Sequence, residues 1–419
     1  MNEAAADHEI SRDKHLFGPG PKQILSLDGG GVGGAITLAF LERIETLLQQ
    51  RYGKDFCLGE HFDLVGGTSA GAVMACFVAL GMQMASIKNL YLNLAPFAFK
   101  RLRWRIPLLR AKFDTSSLRR KIEDVVGSRT LSSSDLITGL CVIAKRMDTG
   151  RPWIISNNPR APYWENGDGY IGNKHYPLAN VVRASTAAPQ LFDPELLPII
   201  PTETLPEVLQ KPLNAPWAVR VFHALLQKAG LGERVNIDPK IYGLFIDGGV
   251  SPHNNPSLAL FHMATLNPFN IKWPPGPDRL TVISIGTGTF QHRLSYEALG
   301  FARYAKLAIY ALRSLITDAE MLVLMLMQWM GECPAPWQIN SEIGNLVSDT
   351  PSGGKMFRFL RYDVQLEKDW LQRELDYDVS DEILERLRWR WDDPEIMHEY
   401  YRIGSIAAEK QVRAEHFLR

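Results

Sequence analysis

The chain has 419 residues, of which 46% are apolar and 22% charged, enough to bury a large core without disulfide or metal staples. Its 46 basic and 46 acidic residues cancel, which argues against a nucleic-acid polymer as partner, so any electrostatic function must be local. The four cysteines (Cys57, Cys76, Cys141, Cys333) are scattered, without a CxxC pair or His cluster, and read as free thiols rather than as a metal site.

Met1 to Lys22 is polar and lacks an apolar signal core; residues 1–21 read as a tail. Short apolar runs bounded by turn residues then predict strands at Ile24–Leu27, Phe62–Val65, Leu140–Ala144, Trp153–Ile155, Ile241–Ile246 and Leu280–Ile285. Between them, Ala35–Tyr52 carries an apolar stripe (Ile36, Phe40, Ile44, Leu47, Leu48), and a second helix follows Ala70. Strands alternating with helices predict an α/β fold, a mostly parallel central sheet flanked by helices. Pro194–Trp217 and Asn267–Pro277 read as long loops, and residues 291–419 as a helical extension packed on a domain of residues 22–290. Met321–Met330 (MLVLMLMQWM) is about half the ~20 residues a membrane span needs, and reads as a buried core helix.

Three glycine-rich turns carry the chemistry. Gly67-Thr68-Ser69-Ala70-Gly71 sits between a strand and a helix, the context in which GxSxG puts a serine on a tight elbow; taken alone it is also an ordinary Gly-rich turn. The N–H of Ala70 points into the same space, at the positive end of the helix. Asp28-Gly29-Gly30-Gly31-Val32-Gly33-Gly34 also joins a strand to a helix, and its backbone N–H groups suit an anion. Through Gly29, Gly31 and Gly34 it satisfies GxGxxG, so a dinucleotide site is an alternative, but one that leaves the serine elbow without a role. The third turn, Asp247-Gly248-Gly249, ends a strand, and in a parallel sheet such an aspartate can face a serine distant in sequence.

LDGGGVGG, GGTSAGA and DGG in this order resemble the patatin-like phospholipases, and RASTAAPQLFDP (Arg183–Pro194), NNPSLAL from Asn254 and ISIGTG from Ile283 look like segments of the same family. The resemblance covers residues 22–290. It implies a lipid acyl hydrolase with Ser69 as nucleophile, Asp247 as general base and Gly29, Gly30, Gly31 and Ala70 as oxyanion hole, supported by Asp28, Gly34, Gly67, Gly71, Gly248 and Gly249. It implies no metal, no organic cofactor and no catalytic histidine, His253 being the one histidine near Asp247. Glycerophospholipid is the implied substrate class, and the implied location is cytoplasmic, peripheral at the membrane.

The family usually carries a basic residue where this chain has Gly33, which leaves open a non-catalytic lipid-sensing or scaffold protein of the same fold. Some bacterial relatives are switched on by signalling nucleotides, and the helical third is where such an activator would act. Finally, Leu64 to Phe113 contains no acidic residue and seven basic ones; Arg101, Arg103, Trp104 and Arg105 are the residues expected to touch an anionic lipid surface.

Overall fold

The computed structural model describes residues 12–98, 113–189, 191–199, 242–291, 303–390 and 392–417. In chain order its strands are β1 (Lys22–Leu27), β2 (Leu64–Thr68), β3 (Gly139–Arg146), β4 (Arg151–Ser156), β5 (Glu195–Pro198), β6 (Tyr242–Asp247), β7 (Leu280–Ile285), β8 (Gly331–Glu332) and β9 (Phe357–Tyr362). The helices are α1 (Gly34–Tyr52), α2 (Leu58–His61), α3 (Ala70–Ala79), α4 (Met84–Ala98), α5 (Thr115–Val126), α6 (Leu178–Ser185), α7 (Ser257–Thr265), α8 (Arg303–Met330), α9 (Lys368–Leu375), α10 (Asp381–Trp389) and α11 (Met397–Gln411). The short 3-10 turns are left unlabelled.

These strands form one sheet in the order β5-β6-β3-β2-β1-β7-β9-β8, with β4 also paired to β3. The centre is parallel (β3-β2-β1-β7-β9-β8), and β4, β5 and β6 add antiparallel pairs. Both faces are covered. Leu25, Leu27 and Val65 point into one apolar layer with α1, α3, α6 and α11, while Ile24, Leu64 and Val282 point into another with α7 and α8. Burial on two sides is why these strands read as apolar runs rather than as alternating ones.

All six strands expected from the sequence are present, as are the helices after Gly34 and Ser69. Three regions differ from the sequence reading. Residues 12–17 are helical rather than tail-like, and Leu16 is buried, its carbonyl accepting from Trp273 Nε1 (2.8 Å). The region after residue 290 is helical as expected, but it also delivers β8 and β9, the latter fully buried and paired to β7. The Met321–Met330 run ends α8 and packs with one side only: Val323, Leu324 and Met327 are buried, while Leu322 and Trp329 are exposed, as the helical period dictates. Among the described residues, no helix is long and apolar enough to cross a membrane.

Of the two expected loops, Asn267–Pro277 contains only the 3-10 turn Asn267–Phe269. The other begins with β5 and then passes outside the described residues.

Candidate active site

β3 accounts for the meeting of the two turns that hold Ser69 and Asp247. One of its edges is followed along its length by β4. The other edge is shared: β2 runs parallel to it as far as Thr68, opposite Ile143, and β6 runs antiparallel to it and ends with Asp247 opposite Ala144. Two strands therefore end head to head beside adjacent residues of β3. Asp247 reaches the site by an antiparallel strand, not by the parallel strand from which the sequence argued, because β6 completes the edge that β2 leaves at the elbow.

At that junction Ser69 Oγ donates to Asp247 Oδ2 at 2.6 Å. Ser69 has φ 54° and ψ −121°, a conformation L-residues rarely adopt, and it caps α3 without using its side chain. The strain is tolerated because the surroundings over-determine it. A Cβ at Gly67 would lie 2.2 Å from the Gly71 backbone, and one at Gly71 would lie 2.2 Å from the Leu27 carbonyl oxygen. The two glycines thus let α3 start directly against the ends of β2 and β1. The backbone N–H of Ser69 donates to Ser185 Oγ (2.8 Å), which in turn donates to the Ile143 carbonyl (2.6 Å). The hydroxyl of Ser69 is therefore held by Asp247 alone among the described residues, and the side chain is half-buried, within reach of a ligand.

Asp247 is buried. Its other oxygen, Oδ1, accepts the Gly249 N–H (2.7 Å). Burial pushes its carboxyl up to about 6, against the Ser69 hydroxyl, the Gly249 N–H and the charge of buried Arg183, all of which favour the ionised form. That brings a side chain with an ordinary pKa of ~3.9 into the range useful for taking a proton near neutral pH. His253 contributes differently from a triad histidine: its carbonyl accepts from Thr68 Oγ1 (2.6 Å), and its buried Nδ1 has no partner among the described residues. Burial lowers its pKa.

The glycine loop lies against the serine, since a Cβ on Gly29 would sit 3.2 Å from Ser69 Cβ. Of the four residues expected to donate N–H groups to an oxyanion, Gly29 is otherwise engaged: its N–H bonds the Asn254 carbonyl (3.1 Å). Gly31 opens a 3-10 turn and Ala70 is the first residue of α3, so neither N–H has an intrahelical acceptor. For these two and for Gly30, no backbone or side-chain acceptor occurs among the described residues. The Gly31 carbonyl is tied back by Tyr91 (2.5 Å).

Asp28, the residue before this loop, forms a buried ion pair with Arg361 Nη2 on β9 (2.8 Å), and the same guanidinium pairs with Asp363 (2.5 Å) and donates to Ser284 Oγ (2.7 Å). Burial drives the Asp28 carboxyl up to about 7, opposed by Arg361. At Gly33 a side chain would begin 2.7 Å from the Thr287 carbonyl and close to Tyr400 of α11. The missing cation is thus explained by packing: the space is taken by the Thr287 turn and the C-terminal region.

A model of the family described as "Patatin-like phospholipase" matches residues 25–261, more than half of the chain. The chain belongs to the patatin-like phospholipase family. Its mostly parallel sheet flanked by helices is the architecture that membership implies. Among relatives, a cGAMP-activated phospholipase of Escherichia coli (strain TW11681) is 30% identical over 178 residues, 41% of this chain and 48% of that protein. A cUMP-AMP-activated phospholipase of Escherichia coli is 31% identical over 177 residues, 42% of this chain and 50% of that protein. Patatin-like phospholipase 1 of Plasmodium falciparum is 26% identical over 293 residues, 69% of this chain and 38% of that protein. The chain thus matches about half the length of the bacterial relatives, or less.

Sequence reasoning missed Ser185, Asn254, Glu320 and Arg361. Ser185 and Asn254 lie in the RASTAAP and NNP stretches singled out above, but Glu320 and Arg361 lie beyond the matched residues and carried no motif. The expected lipid-surface residues Arg101, Arg103, Trp104 and Arg105 lie outside the described residues. No group of three or more His, Cys, Asp or Glu side chains suited to a metal ion occurs among the described residues. Cys57, Cys76 and Cys141 are buried free thiols and Cys333 is partly buried; burial pushes all four pKa values up, so they are poor nucleophiles.

Proposed function

We propose that this chain is a lipid acyl hydrolase of the phospholipase A or lysophospholipase type, acting on glycerophospholipid esters through Ser69 and Asp247. The observation that carries the reading is the 2.6 Å hydrogen bond from Ser69 Oγ to buried Asp247 on a strained strand-to-helix elbow. In the acylation step Ser69 Oγ attacks the ester carbonyl carbon while its proton passes to Asp247 Oδ2. The carbonyl oxygen becomes an oxyanion facing the N–H groups of Gly30, Gly31 and Ala70, each donor worth ~3 kcal/mol in the transition state. Collapse breaks the ester C–O bond, and the leaving alcohol takes the proton from Asp247. Water then attacks the acyl-enzyme by the same route, releasing the fatty acid and restoring Ser69.

The substrate class follows from family membership together with a nucleophile that needs neither metal nor cofactor for this chemistry. Peripheral contact with an anionic lipid surface through Arg101, Arg103, Trp104 and Arg105 belongs to the same proposal, as does a cytoplasmic location. Activation by a cyclic nucleotide is proposed as its regulation, supported by the names of the bacterial relatives.

The test is labelling of the full chain with a fluorescent fluorophosphonate, alongside fatty-acid release from mixed phospholipid vesicles with and without cyclic dinucleotides. Ser69→Ala is expected to abolish labelling, and Ser69→Ala and Asp247→Asn to lower turnover by about 10⁴-fold or more. Labelling that survives Ser69→Ala, or full turnover by Asp247→Asn, rejects the dyad.

A further inference from the structure

Asn254 follows the Asp247 turn and holds both backbone groups of Gly29. Its carbonyl takes the Gly29 N–H (3.1 Å), and its Nδ2 donates to the Gly29 carbonyl (3.1 Å), which Thr287 Oγ1 also reaches (3.0 Å). Its Oδ1 occupies the space that a Cβ on Gly29 or Gly249 would need, at 2.3 and 2.6 Å. The carboxamide is therefore wedged between the glycine loop and the turn carrying Asp247.

The second proton of Nδ2 has one destination among the described residues, Glu320 Oε1. Glu320 lies on α8, beyond the residues the family model matches. Its role follows from the two faces of an amide. One face offers two donors and the other an acceptor. In the observed orientation Nδ2 meets two acceptors, the Gly29 carbonyl and Glu320. Turned over, the amide would set Oδ1 against both, losing the bond to the Gly29 carbonyl outright and keeping one to Glu320 only if that carboxyl also turned to donate a proton. With Glu320 removed, only the Gly29 carbonyl discriminates between the orientations among the described residues.

We propose that Glu320 is a positioning residue for the acyl-transfer site: it holds the Asn254 carboxamide in the orientation that pins Gly29, and so keeps the Gly30 and Gly31 N–H groups set for the oxyanion. The proposal rests on Ser69 acting as the nucleophile. It makes the C-terminal region part of the active site's support rather than an appendage. Burial and the neighbouring charges of Asp28 and Asp363 push the Glu320 carboxyl up to about 8, against the Asn254 hydrogen bond and Arg361. A protonated carboxyl still offers a carbonyl oxygen to Nδ2, and glutamine is its closest mimic.

The experiment compares wild type, Glu320→Met, Glu320→Gln and Asn254→Leu in the full chain, with Ser69→Ala as the blank. It reads kcat and KM for a soluble ester, the rate of fluorophosphonate labelling, and the thermal midpoint. Glu320→Met keeps the volume and removes the acceptor. Its kcat and labelling rate are expected to fall about 10- to 100-fold, with KM within about twofold of wild type. Glu320→Gln is expected to recover most of that loss, and Glu320→Met combined with Asn254→Leu to be no slower than Asn254→Leu alone.

Wild-type kcat in Glu320→Met, equal losses in the Gln and Met variants, or additive losses in the double variant would each overturn the proposal while leaving the dyad standing. Should Glu320→Met fail to fold, Asn254→Leu reads the same link from its other end, and wild-type kcat there overturns it. No Ser69-dependent turnover or labelling in wild type removes the dyad, and the proposal falls with it.

Discussion

At the elbow, the residues whose small size permits the backbone turn around Ser69 are neighbours in sequence, although Ser185 and Asp247 bond it from distant segments. Gly67, Ser69, Ala70 and Gly71 make the elbow, and its φ of 54° and its close approaches to β1 are properties of a few backbone units. Around Gly29 the opposite holds. That loop is held by Asn254, Thr287, Glu320 and Arg361, from separate segments, two of them in the C-terminal region. The elbow needs small residues, and its geometry is steric. The loop needs polar partners in the right orientation, and its geometry is electrostatic, so its shape depends on the C-terminal region in a way the elbow's does not.

The difference can be broken most directly at Arg361. Replacing it with Met leaves Asp28 and Asp363 buried without their cation, and breaking a buried pair by removing one partner typically costs about 3–5 kcal/mol. Chemical denaturation at pH 8 is expected to reveal that loss. The loss should shrink near pH 5.5, where Asp28, which burial already pushes up to about 7, takes up a proton. A loss independent of pH would mean that packing rather than charge holds β9 against the loop.

A smaller effect belongs to the elbow side. If Asp247 takes the proton of Ser69 it must be ionised, so kcat/KM for a soluble ester should fall as pH drops through about 6, the value to which burial raises this carboxyl. A limb near the ordinary aspartate range of ~4 would show Asp247 to be solvated in the working enzyme.

The smallest effect sharpens the loop side. Asp28 and Glu320 have folded-state pKa values of about 7 and about 8, above their ordinary carboxyl values, so the folded chain holds protons that the unfolded chain releases. Their contribution to stability is complete below the unfolded pKa values and is lost as pH rises through 7 and 8. Glu45, pushed up to about 7 mainly by burial, acts in the same direction. The histidines with lowered pKa values, such as His253 and His262, oppose this only below about pH 6.5. The thermal midpoint should therefore decline between pH 6.5 and 8.5, and Glu320→Gln should flatten the decline. A midpoint that rises across this interval would contradict the raised carboxyls.

While Ser69 and Asp247 were singled out as partners by the family resemblance, the sequence by itself determined β1, β2, β3 and β7 of the parallel core and the helices that follow Gly34 and Ser69. These were legible because each is a local demand. A run buried on both faces must be apolar, and a helix that starts against a strand end tolerates only glycine at Gly67 and Gly71. Tertiary structure alone decided the head-to-head meeting of β2 and β6 on one edge of β3, the engagement of the Gly29 N–H by Asn254, and the entry of β9 into the sheet. FRFLRY lies in the stretch expected to be helical, yet it forms a strand in which both Arg358 and Arg361 are buried. A charge that finds its partners in distant segments leaves no periodic trace in its own, which is why Asp28 appeared as part of a turn motif while Arg361 and Glu320 went unseen.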